Sequence, residues 1–295
     1  MTGMGRRLLL AASGAWLAAL VLAPFLIAAK ISLASVVLAR PPFTQLLDWS
    51  GGGWLPALDL NWGNYALLFS DALYLDAYLS SVRLAAMATA IALLIGLPLA
   101  HAMARAPRGW RPALLVLVVL PFWSSSLIRV YAWIGILRAD GPLNALLMGI
   151  GLIDAPLPIL NTDIGVVSGL VYSYLPFMVL PLYASLERID PSLLEAAADL
   201  GCPPWRAFVR VTLPLALPGV LAGSLLVFIP AVGEFVVPDL MGGSDTLMIG
   251  KTLWTEFFGN RDWPLASAAS VVLVILLIGP IVVLERQGLK RAEQG

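Results

Sequence analysis

Apolar residues run along this chain in long, nearly uncharged stretches, separated by short segments where charge, glycine and proline gather. Neither the two-residue alternation of a half-buried strand nor a one-sided helical stripe describes these stretches. Crossing about 30 Å of hydrocarbon at about 1.5 Å per residue requires runs of this length. Six spanning helices are predicted, at 8–34, 78–104, 113–137, 164–187, 215–238 and 264–284. Pro98, Pro121, Pro176, Pro181 and Pro230 fall inside them. Each removes a backbone hydrogen bond and favours a kink, which shapes packing more simply than it makes a hinge.

Two connections stand out. Residues 35–77, with "RPPF" and "SGGGW", are too long and turn-rich for a plain hairpin, and predict a loop carrying a short amphipathic helix around Tyr65 to Tyr74. The other holds "EAAADLGCPPWRAFVRVTLP", residues 195–214. Its approach, "DPSLLEAAADLG", has helix punctuation: Asp190 can cap, Pro191 fits a first turn, and Gly201 supplies a left-handed stop. Pro203 and Pro204 then predict a second short helix through Arg210. Leu193, Leu194, Ala197 and Leu200 give the first helix an apolar side, while Glu195 and Asp199 repel weakly at i,i+4. Alanines at 196, 197 and 198 permit close backbone approach from one side, as a docking surface needs.

Composition agrees with a bilayer. Of 295 residues, 60% are hydrophobic and 12% charged, about half the charged share of soluble domains. Net charge is zero, so nothing draws the chain to nucleic acid. A single cysteine, Cys202, and a single histidine, His101, exclude a disulfide framework and argue against a zinc site. Cys202 is assigned no chemistry, and His101, near the inner end of the second span, is read as a packing residue.

The basic residues set the orientation. With a cytoplasmic N-terminus, Arg6, Arg7, Arg105, Arg108, Arg111, Arg188, Arg206, Arg210, Arg286, Lys290 and Arg291 lie inside. Lys30, Arg40, Arg138, Lys251 and Arg261 lie outside, with Arg83 and Arg129 inside spans. Both termini are therefore expected in the cytoplasm. The run Leu8 to Ala29 is longer than a signal-peptide core and is read as a retained span. The expected organisation is an N-terminal helix with an extracytoplasmic loop (1–76), a transmembrane domain (77–286) with a cytoplasmic loop at 189–213, and a tail (287–295).

"GGSDTLMIGKT" ends like a phosphate-binding loop, but Asp245 stands where the first glycine is required, no strand precedes it, and it is expected outside. ATP is therefore not expected to be handled by this chain.

The 195–214 segment resembles a known pattern: Glu195-Ala196-Ala197, three residues, Gly201, nine residues, Val211, any residue, then Leu213-Pro214. It is similar to the EAA motif of permease subunits of binding-protein-dependent ABC importers, with Val211 where isoleucine is more usual. The resemblance implies an all-α, six-span, type I importer (MetI-like) fold with a cytoplasmic coupling helix in the inner membrane. It also implies that Glu195, Ala196, Ala197, Gly201, Leu213 and Pro214 dock and couple a separate ATPase. The implied partners are a second related permease, two ATP-binding subunits holding ATP and magnesium, and an extracytoplasmic binding protein. This chain itself would bind no cofactor.

"LPFWSSSLIRVYAWIGILRADGPLN", "VYSYLPFMVLPLY", "FIPAVGEFVVPDLMGG" and "LWTEFFGNRDWPLASA" extend the resemblance, over about residues 60–285, to polyamine permeases for putrescine and spermidine. A polycation suits a path of carboxylates and aromatic faces, with about 0.5–2 kcal/mol for each cation–π contact. Glu234, the acid placed within a span away from its cytoplasmic end, and Asp239 beyond it are candidates. Trp123, Tyr131, Trp133, Tyr172 and Tyr174 are aromatic candidates, with interfacial belts as their alternative role. Glu234 has a rival reading as a structural ion pair with Arg129. Importers for thiamine, ferric iron or sulfate share the coupling motif. An ion-coupled secondary transporter would need an inverted repeat of broken helices that the sequence lacks, and a structural scaffold would leave the docking loop unexplained.

Overall fold

The computed structural model describes residues 3–48 and 57–292. The "SGGGW" turn and the last three residues of the tail lie outside the described residues. Apart from a two-residue antiparallel ladder, β1 (Leu47–Asp48) with β2 (Ala57–Leu58), the described regular structure is helical.

In chain order the helices are α1 (Gly3–Ser32), α2 (Gly63–Ser70), α3 (Ala72–Arg105), α4 (Arg111–Val119), α5 (Ser126–Leu137), α6 (Pro142–Gly149) and α7 (Asp163–Glu187). They continue as α8 (Ser192–Asp199), α9 (Pro204–Ala207), α10 (Leu213–Val232), α11 (Val236–Met241), α12 (Ile249–Trp254) and α13 (Trp263–Ala292). By length and apolarity, Ser13–Ser32, Ala72–Arg105, Asp163–Glu187 and Pro204–Val232 can each cross a bilayer. A fifth crossing is bent, and the apolar helix Trp263–Gly279 opens the sixth predicted stretch.

The departures from the predicted spans have local causes. The expected span at 113–137 is broken: the pair Arg111–Trp123 and Ser126–Gly149 meets at 92°. Pro121 has no N–H for the ladder, so the chain tightens into a 3₁₀ turn, Leu120–Trp123, and leaves it extended at Ser124. The second span starts at Ala72 and not at 78, because Asp71 both ends α2 and caps α3, accepting from Leu73 N at 2.9 Å. The fifth helix stops at Val232, short of the predicted 238, and resumes as α11. Pro98, Pro176, Pro181 and Pro230 sit within helices that continue past them.

The chain forms two compact units. One comprises residues up to Leu75 and from Thr252 onward; there α1 and α2 pack on α13, and Leu68, Tyr74, Leu265, Ala268 and Ala269 form an apolar cluster. Tyr74 donates to Glu256 Oε1 at 2.9 Å in the same unit.

The other unit, Asp76–Lys251, is centred on α7 against α10. Gly219 and Gly223, four apart on α10, permit that contact. A Cβ at 219 would lie 2.6 Å from Ser185 Cβ and 2.7 Å from Pro181 O, and one at 223 would lie 2.9 Å from Met178 Sδ. Small residues at this spacing let backbones approach where lipid provides no hydrophobic drive. Gly96 of α3 meets Met178 in the same way, with a Cβ there 2.9 Å from Met178 Cγ.

Candidate coupling elbow and transport pathway

The α8 helix is opened by Asp190, whose Oδ1 accepts from Ser192 N at 3.0 Å. That donated hydrogen bond holds its carboxyl below the usual value. It closes as a Schellman motif: Cys202 N donates to Ala197 O at 2.9 Å and Gly201 N to Ala198 O at 2.8 Å. Gly201 takes φ +76°, the left-handed conformation that the sequence assigned to it. Pro203 and Pro204 then restart helix, but not as a separate short element. Pro204–Ala207 runs through a π turn, Phe208–Thr212, into α10, giving one 29-residue helix to Val232. Pro203 and Pro204 fall at the start of this helix, where a missing N–H disrupts no bond.

The elbow's apolar side is divided. Leu194 and Ala197 are half-buried against the body, while Leu193 is 46% and Leu200 87% exposed. Trp205, 65% exposed with Arg206 stacked 5.1 Å from its ring centre, stands on the far side of the turn. Glu195, Ala196 and Gly201 are exposed, Leu213 is half-buried, and Pro214 is exposed in the first turn of α10. A leucine and a tryptophan thus lie exposed on the two arms of the Gly201 turn.

The pathway candidates separate into groups. Glu234 lies in the break between α10 and α11: its Oε2 accepts the Tyr174 hydroxyl and its Oε1 accepts Val236 N at 3.0 Å. Trp133 stacks on Tyr172 at 5.1 Å and 3°, and its Nε1 donates to Ser168 Oγ at 3.1 Å. Trp123 and Tyr131 are exposed and joined to neither group. Asp239 is held by Lys251, Nζ to Oδ1 3.6 Å.

Arg129 does not pair with Glu234. Its guanidinium lies 4.7 Å from the Phe122 ring centre, and its Nε and Nη1 are buried without a hydrogen-bond partner. Phe122 meets Phe177 edge-on at 5.1 Å, and Phe177 lies 6.2 Å from Tyr174. A ladder of rings therefore separates the arginine from the carboxylate.

Sequence reasoning missed other pairs. Arg83 reaches Asp163 at 2.5 Å, and Thr246 also donates to that carboxylate at 3.0 Å. Arg111 bridges Ala106 O at 2.9 Å and Glu187 Oε1 at 3.1 Å. An arginine inside a predicted span was the available signal for the first. His101 packs edge-on against Phe208 at 5.2 Å. In the "GGSDTLMIGKT" stretch, a Cβ at Gly250 would collide with the carbonyls of Gly233 and Glu234, so only glycine fits there.

Between the apolar helices α7 and α10 the chain carries an exposed elbow stopped by Gly201. The sequence profile of the family described as binding-protein-dependent transport system inner membrane component matches residues 14–284, and the chain belongs to that family. It is thus a multi-pass transport permease and not an enzyme.

Among relatives, the spermidine/putrescine transport system permease protein PotB of Haemophilus influenzae is 48% identical over 214 residues, 72% of this chain and 74% of that protein. PotB of Escherichia coli strain K12 is 46% identical over 72% of this chain and 78% of its own. Among solved structures, a bacterial ABC transporter importing the acidic polysaccharide alginate matches with a TM-score of 0.65 at 18% identity, covering 96% of this chain and 97% of that one. That likeness concerns the fold.

Proposed function

We propose that this chain is the pore-forming permease of an ATP-driven polyamine importer for putrescine or spermidine. The observation that carries the cargo is its likeness, at nearly half identity over most of its length, to PotB proteins of two bacteria. Glu234 at a helix break, oriented by Tyr174, supports it chemically, since a polycation needs a fixed anion within the bilayer. Trp133 and Tyr172 offer a second, aromatic surface.

The transport core is residues 77–286, preceded by the helix and extracytoplasmic loop of 1–76 and followed by the tail 287–295. Both termini and the elbow face the cytoplasm, as the arginine distribution favours. A second, related permease completes the pore, and two ATP-binding subunits carry ATP and magnesium. An extracytoplasmic binding protein delivers the cargo. The elbow takes up the closing motion of the ATPase through Glu195, Ala196, Ala197 and Gly201 and passes it along the continuous helix containing Leu213 and Pro214.

The test is uptake of labelled putrescine and spermidine by cells lacking their own polyamine permeases, supplied with this chain and its partner subunits. Saturable uptake that collapses on ATP depletion at fixed ion gradients is expected. Uptake of neither amine overturns the cargo, and insensitivity to ATP overturns the coupling.

A further inference from the structure

We infer that a basic pocket beside the elbow binds the phosphate of an acidic phospholipid headgroup. The pocket is a cavity of about 220 Å³ walled by His101, Arg105, Arg108, Arg111, Glu187 and Thr212. It lies where α3 ends at Arg105 and α4 begins at Arg111. This rests on the inward placement of the elbow proposed above and on nothing about the cargo.

Charge decides the ligand class. Arg111 is fixed by Ala106 O and Glu187, so that one carboxylate offsets one guanidinium. The Arg105 and Arg108 side chains make no ion pair or hydrogen bond among the described residues. Two uncompensated guanidinium groups repel a polyamine and place the pocket off the cation path. Their planar donor forks match phosphate oxygens in pairs. Basic pockets between spanning helices on the cytoplasmic side suit acidic headgroups.

Membrane geometry favours a lipid over a free anion. The helices leaving the pocket expose Ile95 and Leu99 on α3 and Val116 and Leu117 on α4, apolar surface that acyl chains can cover. The pocket also shares His101, Arg105, Leu194 and Thr212 with a cavity of about 540 Å³ behind the elbow, which Gly201 and Phe208 help to line. A headgroup bound here therefore abuts Leu194, one of the two α8 side chains half-buried against the body. Its effect is to brace the elbow, so that coupling between ATP hydrolysis and transport depends on acidic lipid.

The experiment uses the purified complex with its partner subunits in phosphatidylcholine nanodiscs, with or without phosphatidylglycerol. Native mass spectrometry reads retained lipid, and ATPase activity reads coupling, for the wild type and for Arg105→Gln/Arg108→Gln. The wild type retains phosphatidylglycerol and is stimulated by it. The double variant assembles, matches the wild type in pure phosphatidylcholine, binds phosphatidylglycerol about thirtyfold more weakly and loses the stimulation. If the double variant does not assemble, Arg108→Gln alone, at an exposed position, serves with about a fivefold weakening expected.

Equal retention by wild type and variant overturns the site. Inorganic phosphate reproducing the stimulation in pure phosphatidylcholine overturns the lipid as its source. Crosslinks from Arg105→Cys to an acidic ATPase side chain would overturn both. Retention is a mass, so it is readable even if polyamines prove not to be the cargo.

Discussion

Tyr174 donates its hydroxyl to Glu234, and the other oxygen of that carboxylate accepts Val236 N at 3.0 Å. The acid is therefore oriented by neutral donors, and its charge is not consumed by Arg129, which lies over Phe122 instead. Glu234→Gln keeps an acceptor for one of these donors while removing the charge and the second acceptor. Polyamine uptake is expected to fall about ten- to a hundredfold, the worth of a charge-assisted hydrogen bond of about 1.5–3 kcal/mol, with insertion unchanged. Arg129→Gln should leave uptake within about threefold, because the carboxylate network does not include it. Recovery of function in the double variant would restore the ion-pair reading and remove Glu234 from the pathway.

Gly201 makes a different demand, one of backbone and not of charge. Nothing lies within 4 Å of a Cβ built there, yet its φ of +76° strains any L side chain. Gly201→Val should misdirect the turn and abolish transport while the protein still inserts, since the left-handed conformation costs about 1–2 kcal/mol or more for a branched residue. Gly201→Asn, which tolerates this conformation, should retain most uptake. Glu195→Lys, which strains no backbone, should block coupling without altering insertion. Equal activity of the valine and asparagine variants would show that the turn is not what matters.

What the sequence could reveal follows from the range of each interaction. Apolar run length located the spans, and the stop at Gly201 was legible because a Schellman turn is built from neighbours. The break at Ser124 was harder: Pro121 was seen as a kink, but a proline within a span bends or breaks it according to what packs nearby, and Pro98 and Pro176 continue as helix. Ion pairs were less legible still. Arg83 and Asp163 stand 80 positions apart, and Asp239 of α11 meets Lys251 of α12 across the loop between them. Arg83 was placed in a span, Lys251 outside and Asp239 in the pathway, but the partner of each is set by topology. The second helix of the elbow starts at its two prolines, as their positions predicted, but it does not end at Arg210; it runs on through Phe208–Thr212 into α10.

The close approach of α7 and α10 should be sensitive to single methyl groups. Gly219→Ala places a Cβ against Pro181 O and Ser185, backbone-anchored neighbours that cannot swing aside. A loss of about 1–3 kcal/mol is expected from such overpacking, read as a lower midpoint for thermal unfolding in detergent. Gly135→Ala on α5, where nothing lies within 4 Å of the new Cβ, is the matched control and should hold or raise the midpoint. A drop of the same size in both would point to a general intolerance of the membrane helices and not to this contact.

Leu200 is the most direct probe of the elbow's partner. At 87% exposure it makes little contribution to the packing of its own chain, so replacing it should leave stability within about 0.5 kcal/mol. If the ATPase seats on this turn, Leu200→Asp places an unpaired charge in that interface and should weaken association at least about tenfold, as truncating an interface anchor does. Co-purification of the ATPase, quantified alongside the thermal midpoint, separates the two effects. Leu194→Asp, at a half-buried position of the adjoining α8, should lower the midpoint as well. Loss of association with an unchanged midpoint at Leu200, and loss of both at Leu194, identify an elbow with one side for its own body and one for its motor. Full retention of the ATPase by Leu200→Asp would place the docking surface elsewhere.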